Sequence, residues 1–539
     1  MSNKKIAFDS CNFCTSLAAL SNHFALDKRQ RIAEAHSSDH DKVVIKGSNI
    51  FVLQIGSKWF YLDTDVDVTL PGDLDSYQAD LVVDSCDSAW TAKANVTATE
   101  EGTIKKEGTA SAKLVIAGAF TTGLVATHDF SAIDISGHNS ISFWIRSTAN
   151  INKGVLQLVY DEDAACASPS QSTDIPALKA NTWTKVSLSL SAAAADRNAV
   201  ISVGINAVSD PGAVTIYVDD IRTEMQEAGK AYYVYACDNN GVLTFKISLN
   251  STYPSGYTAT TSRKIGGFHS LCLDVGTISD HDLSDYKTYD ILPTSIWDMK
   301  HRPICEPSGM VYDEAISKWV DIYLASGMGA TCASVYGATI TDTRHWMDFV
   351  DDGHVVRKGL LHDEEFQSVM AGSNEETNIF GSADPVTTGG HMDTVARRMI
   401  SDIGCEDGVG VMCQWLLDQS YRYDGGSHTH TQTITHKAGA TGSALHKDQA
   451  ESKPNAVLGS GADETITGNA TDPAPSFGWF DLPGGKGTLY RQGTYGNIKL
   501  LAGLHWADGP YCGSRGRNAS APRWYAATIF GGRFLAEPL

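Results

Sequence analysis

Val200-Ile201-Ser202-Val203-Gly204-Ile205 and, beyond Asp210-Pro211-Gly212, Val214-Thr215-Ile216-Tyr217-Val218 are the two stretches that decide the fold class. Ile201, Val203 and Ile205 alternate with small or polar neighbours, and so do Val214, Ile216 and Val218. A period of two places each apolar set on one face of a strand. Leu156, Leu158 and Tyr160 repeat the pattern, as do Val186, Leu188 and Leu190. Several such strands at short spacing, with no helical pattern between them, predict two sheets packed as a sandwich over residues 85–225.

The flanks read as pieces of one further unit. Ile50-Phe51-Val52-Leu53 and Trp59-Phe60-Tyr61-Leu62 are strand-like on one side; Tyr232-Tyr233-Val234-Tyr235 and Leu243-Thr244-Phe245-Lys246-Ile247 match them on the other. The sandwich is therefore expected to be inserted into a β-rich N-terminal assembly and trimerisation domain formed by 1–84 plus 226–290, since insertion succeeds where chain ends lie close together. A third unit is expected over 300–539. It has one helix starting near Asp363, with Phe366, Val369 and Met370 on its inner face, and a second near Asp393 with Val395 and Met399 four apart. Residues 425–475, rich in Gly, Ser, Thr, His and Asp, read as a long surface excursion. The fold class is mainly β and multidomain.

A chain of 539 residues exceeds what one core supports, and 42% apolar with 19% charged residues is ordinary for a folded protein. Lys and Arg number 42 against 63 Asp and Glu, a formal net charge of -21, which argues against nucleic acid as a partner. No apolar run reaches the length of about 18 residues needed for a spanning helix, so no membrane insertion is expected. The start, with its lysines and no apolar segment behind them, does not read as a secretory signal. Eleven thinly spread cysteines then point to reduced thiols made in a cytosol, and Cys11-x-x-Cys14 reads as structural.

A search for catalytic chemistry returns none. GxSxG, HExxH and EF-hand patterns are missing from the sequence. Gly484-Gly485-Lys486-Gly487-Thr488 lacks the first spaced glycine of a phosphate loop and reads as a turn. His428-x-His430, with His436 and His446 nearby, offers imidazoles on one strand face, but a polar surface loop accounts for them, so no metal or cofactor is expected. Asp351-Asp352 and Asp363-Glu364-Glu365 read as solvated turns and helix starts. Trp90, Trp144, Trp183 and Tyr160 suit either sugar stacking or a core. No enzyme is expected.

Asp129-Phe130, Ser142-Phe143-Trp144-Ile145-Arg146, Asn181-Thr182-Trp183 and Tyr217-Val218-Asp219-Asp220-Ile221 together resemble jelly-roll modules of the carbohydrate-binding kind. Leu360-Leu361-His362-Asp363-Glu364-Glu365-Phe366 and Gly408-Val409-Gly410-Val411-Met412-Cys413-Gln414-Trp415 resemble segments of the formylglycine-generating-enzyme type of C-type lectin fold. The closing Trp506, Cys512-Gly513-Ser514-Arg515, Arg517 and Gly532-Arg533 resemble that family's end. Cys512 stands without the second cysteine of the oxidase, so the resemblance implies the C-type-lectin-like α+β fold without its activity.

A broader resemblance is to phage tail-fibre and receptor-binding proteins of the tropism-determinant kind. It is carried by residues 317–327, Ile340-Thr341-Asp342-Thr343-Arg344-His345-Trp346-Met347-Asp348-Phe349, residues 372–378, Thr252-Tyr253-Pro254-Ser255-Gly256-Tyr257 and residues 263–269. It implies a virion protein of the phage tail, made in the host cytoplasm and homotrimeric. Its partners would be other tail or baseplate proteins and a bacterial surface receptor, glycan or protein, met by the C-terminal domain. A structural or decorating virion protein with no receptor role is the alternative.

The same resemblance divides the last segment into frame and variable positions. The frame is Gly503, Trp506, Gly509, Cys512 to Arg515, Arg517, Arg523-Trp524, Ile529 and Gly531-Gly532-Arg533. The implied ligand-binding positions are Leu504, His505, Ala507, Asp508, Pro510, Tyr511, Gly516, Asn518, Ala519, Ser520, Ala521, Pro522, Tyr525, Ala526, Ala527, Thr528 and Phe530. None of these is Lys, Glu, Gln, Met or Trp, the residue types that adenine-directed mutagenesis by a diversity-generating retroelement cannot reach from AAC codons. Independently of any family, arginines bonding carbonyls and glycines at turns make a rigid surface whose exposed side chains exchange at little cost.

Overall fold

The computed structural model describes residues 31–47, 51–75, 80–423, 430–435, 446–449, 462–467, 486–491 and 496–539. Cys11, Cys14, His428 and His436 lie outside the described residues, as does most of the 425–475 excursion. The described parts of that excursion are strands.

The alternating stretches form a sandwich. One sheet runs Gln171–Asp174, Leu156–Asp161, Val200–Ala207, Gly123–Ile133, Thr91–Ala92; the other runs Trp183–Ser189, Ser140–Ser147, Val214–Glu224, Ser111–Ile116, Val96–Glu101, with Leu81–Asp84 also on Val214–Glu224. Phe143, Ile145, Val186, Val203, Ile205, Ile216 and Val218 interdigitate between the sheets. Ile201 departs from its expected inward position: Val200 is buried in its place, after an irregularity in the pairing between Asp129 and Ile133. Such a slip exchanges the two faces of a strand.

On either side of the sandwich in sequence, two segments share a core. Val43, Ile45, Leu62, Val68 and Leu74 pack with Tyr232, Val234, Phe245, Ile247 and Phe268. Backbone bonds from Asp75 N to Ile247 O (2.9 Å) and from Ile247 N to Asp73 O (2.9 Å) stitch them together. Leu271, Val275, Leu283 and Leu292, by contrast, pack into the core of the C-terminal part.

That C-terminal core lies among a four-stranded sheet (Met310–Asp313, Lys318–Asp321, Phe534–Ala536, Gly359–Leu360), a larger sheet centred on Cys413–Tyr423, Gly496–Gly503 and Gly513–Ala519, and two helices. Helix α1 spans Trp346–Val355 and α2 spans Asp363–Val369. In α2, Phe366 and Val369 face inward as the spacing predicts, and Glu365 Oε2 accepts from His362 N at 2.7 Å to cap the first turn. The helix expected at Asp393 is corrected to a turn. Asp393 Oδ1 accepts from Val395 N (3.0 Å) and Arg397 N (2.9 Å), and Ala396 has a positive φ of 62°. Short side-chain acceptors compete with helical carbonyls in this way. Among the described residues no helix is long and apolar enough to cross a membrane.

Candidate functional site

The terminal segment 503–533 is built on buried arginines. Arg517, fully buried on the strand Gly513–Ala519, donates from Nε to Asp363 Oδ1 (2.7 Å) and from Nη1 to the carbonyls of Ser514 (2.9 Å) and Gly516 (2.8 Å). Its guanidinium lies 5.3 Å from the ring centre of Phe366. Arg533, also fully buried, donates from Nη1 to the Asp321 and Ile322 carbonyls (2.6 and 2.5 Å) and from Nη2 to that of Glu406. A planar five-donor group suits this bracing, since one guanidinium reaches several backbone carbonyls at once.

Loops between these braces carry the side chains in question. His505 N donates to Asp508 Oδ2 (2.8 Å) and Ala507 N to His505 Nδ1 (3.2 Å), closing residues 505–508 into a tight turn. Burial lowers the His505 pKa against the opposing pull of Asp508 and Asp384, so the ring is held neutral and serves as an acceptor. The next loop is pinned to the neck of α1, where Trp346 N donates to Arg523 O (3.2 Å) and Thr343 N to Ala527 O (3.1 Å).

The expected variable positions divide by burial. Ala507, Pro510, Tyr511, Tyr525 and Thr528 are exposed, and His505, Asp508, Ser520, Ala526 and Ala527 are half-buried. Leu504, Gly516, Asn518, Ala521, Pro522 and Phe530 are buried instead of presented. Leu504, at φ 60°, turns its side chain into the core; Phe530 packs edge-on against Trp415 at 5.1 Å; Asn518 Oδ1 accepts from Ser520 N at 2.9 Å. Ala519 is described only as part of its strand. Of the frame positions, Arg523 and Trp524 are exposed, Trp524 at 58% beside Tyr525 at 52%. The exposure of Trp524 is hard to see in sequence, because a tryptophan reads first as core. Its flanking by Pro522 and Arg523, both loop-compatible residues, was the available signal.

Of the carboxylates expected to be solvated, Asp351 is exposed and Glu364 half-buried, but the other three are corrected. Asp352 pairs with Arg344 Nη1 at 2.5 Å, Asp363 with Arg517, and Glu365 with Lys318 at 3.0 Å; all three acids are buried. Each ends in an ion pair, the arrangement a buried charge requires. In the sandwich, Trp90 and Tyr160 belong to the core, whereas Trp144 and Trp183 sit half-buried on the outer face, with Lys106 Nζ 4.3 Å from the Trp144 ring. Among the described residues, the nine cysteines are free thiols.

The fold and this terminal segment define a mainly β, multidomain protein whose closing strand is braced by buried arginines. Residues 182–298 match the family described as the Mtd second domain. A tail fiber receptor-binding protein of Bordetella phage BPP-1 is 32% identical over 182 residues, which cover 30% of this chain. The chain spans 46% of the length of that curated relative. These matches bear out the resemblance to tropism-determinant tail-fibre proteins. Among solved structures, the Major Tropism Determinant U1 variant is similar with a TM-score of 0.38 and 23% identity, over 58% of this chain and 73% of that one. A Family 11 carbohydrate-binding module from Clostridium thermocellum has a TM-score of 0.21 and 12% identity, over 27% of this chain and 95% of that one.

Proposed function

We propose that the chain is a non-enzymatic phage adhesin whose C-terminal unit binds a bacterial surface receptor. The observation that carries this reading is the exposure of Tyr511, Trp524 and Tyr525 on loops that flank the strand braced by buried Arg517, the second of them pinned to the start of α1. Amphipathic aromatics on a rigid backbone supply contact area at little entropic cost, and such anchors dominate binding energy. Support also comes from the receptor-binding relative in a Bordetella phage. On this reading the exposed and half-buried members of the variable set, with Trp524 added, form the receptor surface. The buried members tune its shape from beneath.

The proposed organisation follows. Residues 1–84 with 226–290 form the assembly domain, its closing stretch from Leu271 packed into the C-terminal core, attached to other tail or baseplate proteins in a homotrimer. Residues 85–225 are an inserted jelly roll, and 300–539 form a C-type-lectin-like unit whose closing segment is diversified by a retroelement. The protein works in the virion, where many copies compensate by avidity for modest single-site affinity.

Adsorption of the purified chain to host cells tests the reading. Tyr511→Ala, Trp524→Ala and Tyr525→Ala together are expected to cut adsorption at least tenfold with thermal stability nearly unchanged. Undiminished adsorption by the folded triple variant removes these residues from the binding surface.

A further inference from the structure

The sandwich loop around Asn152-Lys153-Gly154 docks into the C-terminal unit. Lys153 Nζ donates to the carbonyls of Gly389 (3.0 Å) and Thr388 (3.4 Å) and lies 5.3 Å from the Tyr336 ring centre. The Asn152 amide abuts Gly381, where an added Cβ would sit 2.2 Å from Nδ2. Beside this joint is a cavity of about 410 Å3, walled by both units: Asn152 and Asp174 from one, Phe380, Asp384, Val386 and His391 from the other. That volume falls within the range of roughly 300–1,000 Å3 typical of small-molecule sites.

The polar lining of the cavity sets the carboxylates of Asp174 and Asp384 beside the Ser209 and Thr387 hydroxyls. Asn152 Oδ1 is buried and meets no hydrogen-bonding partner. Asp174 and Asp384 add carboxylate oxygens. His391 is fixed by its Nδ1 contact to Asp407 at 2.9 Å, which leaves Nε2 as its remaining ring nitrogen. The cationic groups nearby are already engaged: Lys153 on its two carbonyls, and Arg398 on Glu406 at 2.5 Å. Phe380 and Val386 contribute apolar wall. The occupant must therefore bring several donors and an apolar face, and it must not bring negative charge.

We propose that this junction cavity is a second binding site, distinct from the terminal aromatics, for a neutral or amino-bearing saccharide of one or two rings. Ring hydroxyls donate to Asp384 and to the remaining lone pairs of Asp174, and ring C–H faces pack on Phe380 and Val386. Because both units line the site, occupancy would also fix the angle between the sandwich and the C-terminal unit.

Saturation-transfer NMR on the full chain, with glucose, glucosamine, N-acetylglucosamine and glucuronate as probes, tests this. Signal is expected from at least one of the first three, with glucuronate binding at least tenfold more weakly. Val386→Trp, at a residue 72% exposed and so harmless to the fold, is expected to block the mouth and abolish the signal. Asp384→Leu is expected to weaken it at least tenfold, and Tyr511→Ala with Tyr525→Ala to leave it unchanged. The proposal is overturned if none of the three sugars binds, if glucuronate binds as well as they do, or if folded Val386→Trp binds like the unmodified chain. Loss of sugar binding in the tyrosine variant would merge this site with the terminal one and likewise overturn it.

Discussion

Arg517 Nε donates to Asp363 Oδ1 at 2.7 Å, across 154 positions of sequence, and ties the strand under the terminal loops to the first residue of α2. Both side chains are buried. Removing one partner leaves the other charged, desolvated and unpaired. Asp363→Asn and Arg517→Met should each cost about 3–5 kcal/mol in denaturant unfolding, and the double variant clearly less than the sum of the two. Additive losses would show that the pair is not an energetic unit.

The split of the terminal segment into presented and buried side chains predicts opposite mutational signatures. Phe530 is buried against Trp415 and Tyr525, at ring-centre distances of 5.1 and 5.8 Å. Phe530→Ala should destabilise by about 3–5 kcal/mol, whereas Tyr511→Ala, an exposed change, should cost under about 0.5 kcal/mol. Ala521→Phe, at a site 1% exposed, should cost about 1–3 kcal/mol through overpacking. Thermal melts of the three variants check this, and equal losses at Tyr511 and Phe530 would undo the division.

Gly503 precedes the variable set at φ 84°, and an added Cβ would lie 2.6 Å from the Gly408 carbonyl oxygen. Both the backbone conformation and the close approach exclude a side chain. Gly503→Ala should lower stability by about 1–3 kcal/mol. Its effect on adsorption should scale with the fraction unfolded, so that cooling restores binding; a binding defect that persists when the variant is fully folded would contradict this.

What the sequence made legible was set by how local each cause is. The sandwich strands could be read because period-two burial is written into neighbouring residues, and α2 because Phe366, Val369 and Met370 mark one helical face. The turn at Asp393 was misread because Val395 and Met399 mimic a helical face while Asp393 holds the backbone in another shape. The burial of Asp363 and Asp352 was invisible, since their partners Arg517 and Arg344 are identified only by the fold. In the terminal segment, the bracing role of Arg517 and Arg533 could be argued from guanidinium chemistry. The exposure of Trp524 depends on where Arg523 and Ala527 are pinned to the 343–346 segment, a contact with no local signature. The junction cavity arises from loops more than 200 residues apart and leaves no trace in either.

His269 gives the pH dependence a definite sign. It is 4% exposed, its Nε2 lies 3.0 Å from the Tyr323 hydroxyl, and its Nδ1 meets no partner. Burial, reinforced by the charge of Lys230, lowers its pKa to about 3. The unfolded chain, with an ordinary histidine near pH 6.5, therefore takes up a proton that the folded chain refuses. The stability this group contributes is fully present above about pH 6.5 and is lost as the pH falls from there toward 3, at up to about 1.4 kcal/mol per pH unit. His269→Gln keeps a side chain able to bond Tyr323 and removes the titration. Its unfolding free energy should fall less steeply than that of the unmodified chain between pH 6.5 and 4.5. Parallel slopes in urea titrations over that window would show that His269 is protonated in the folded state and that its burial is not what sets its charge.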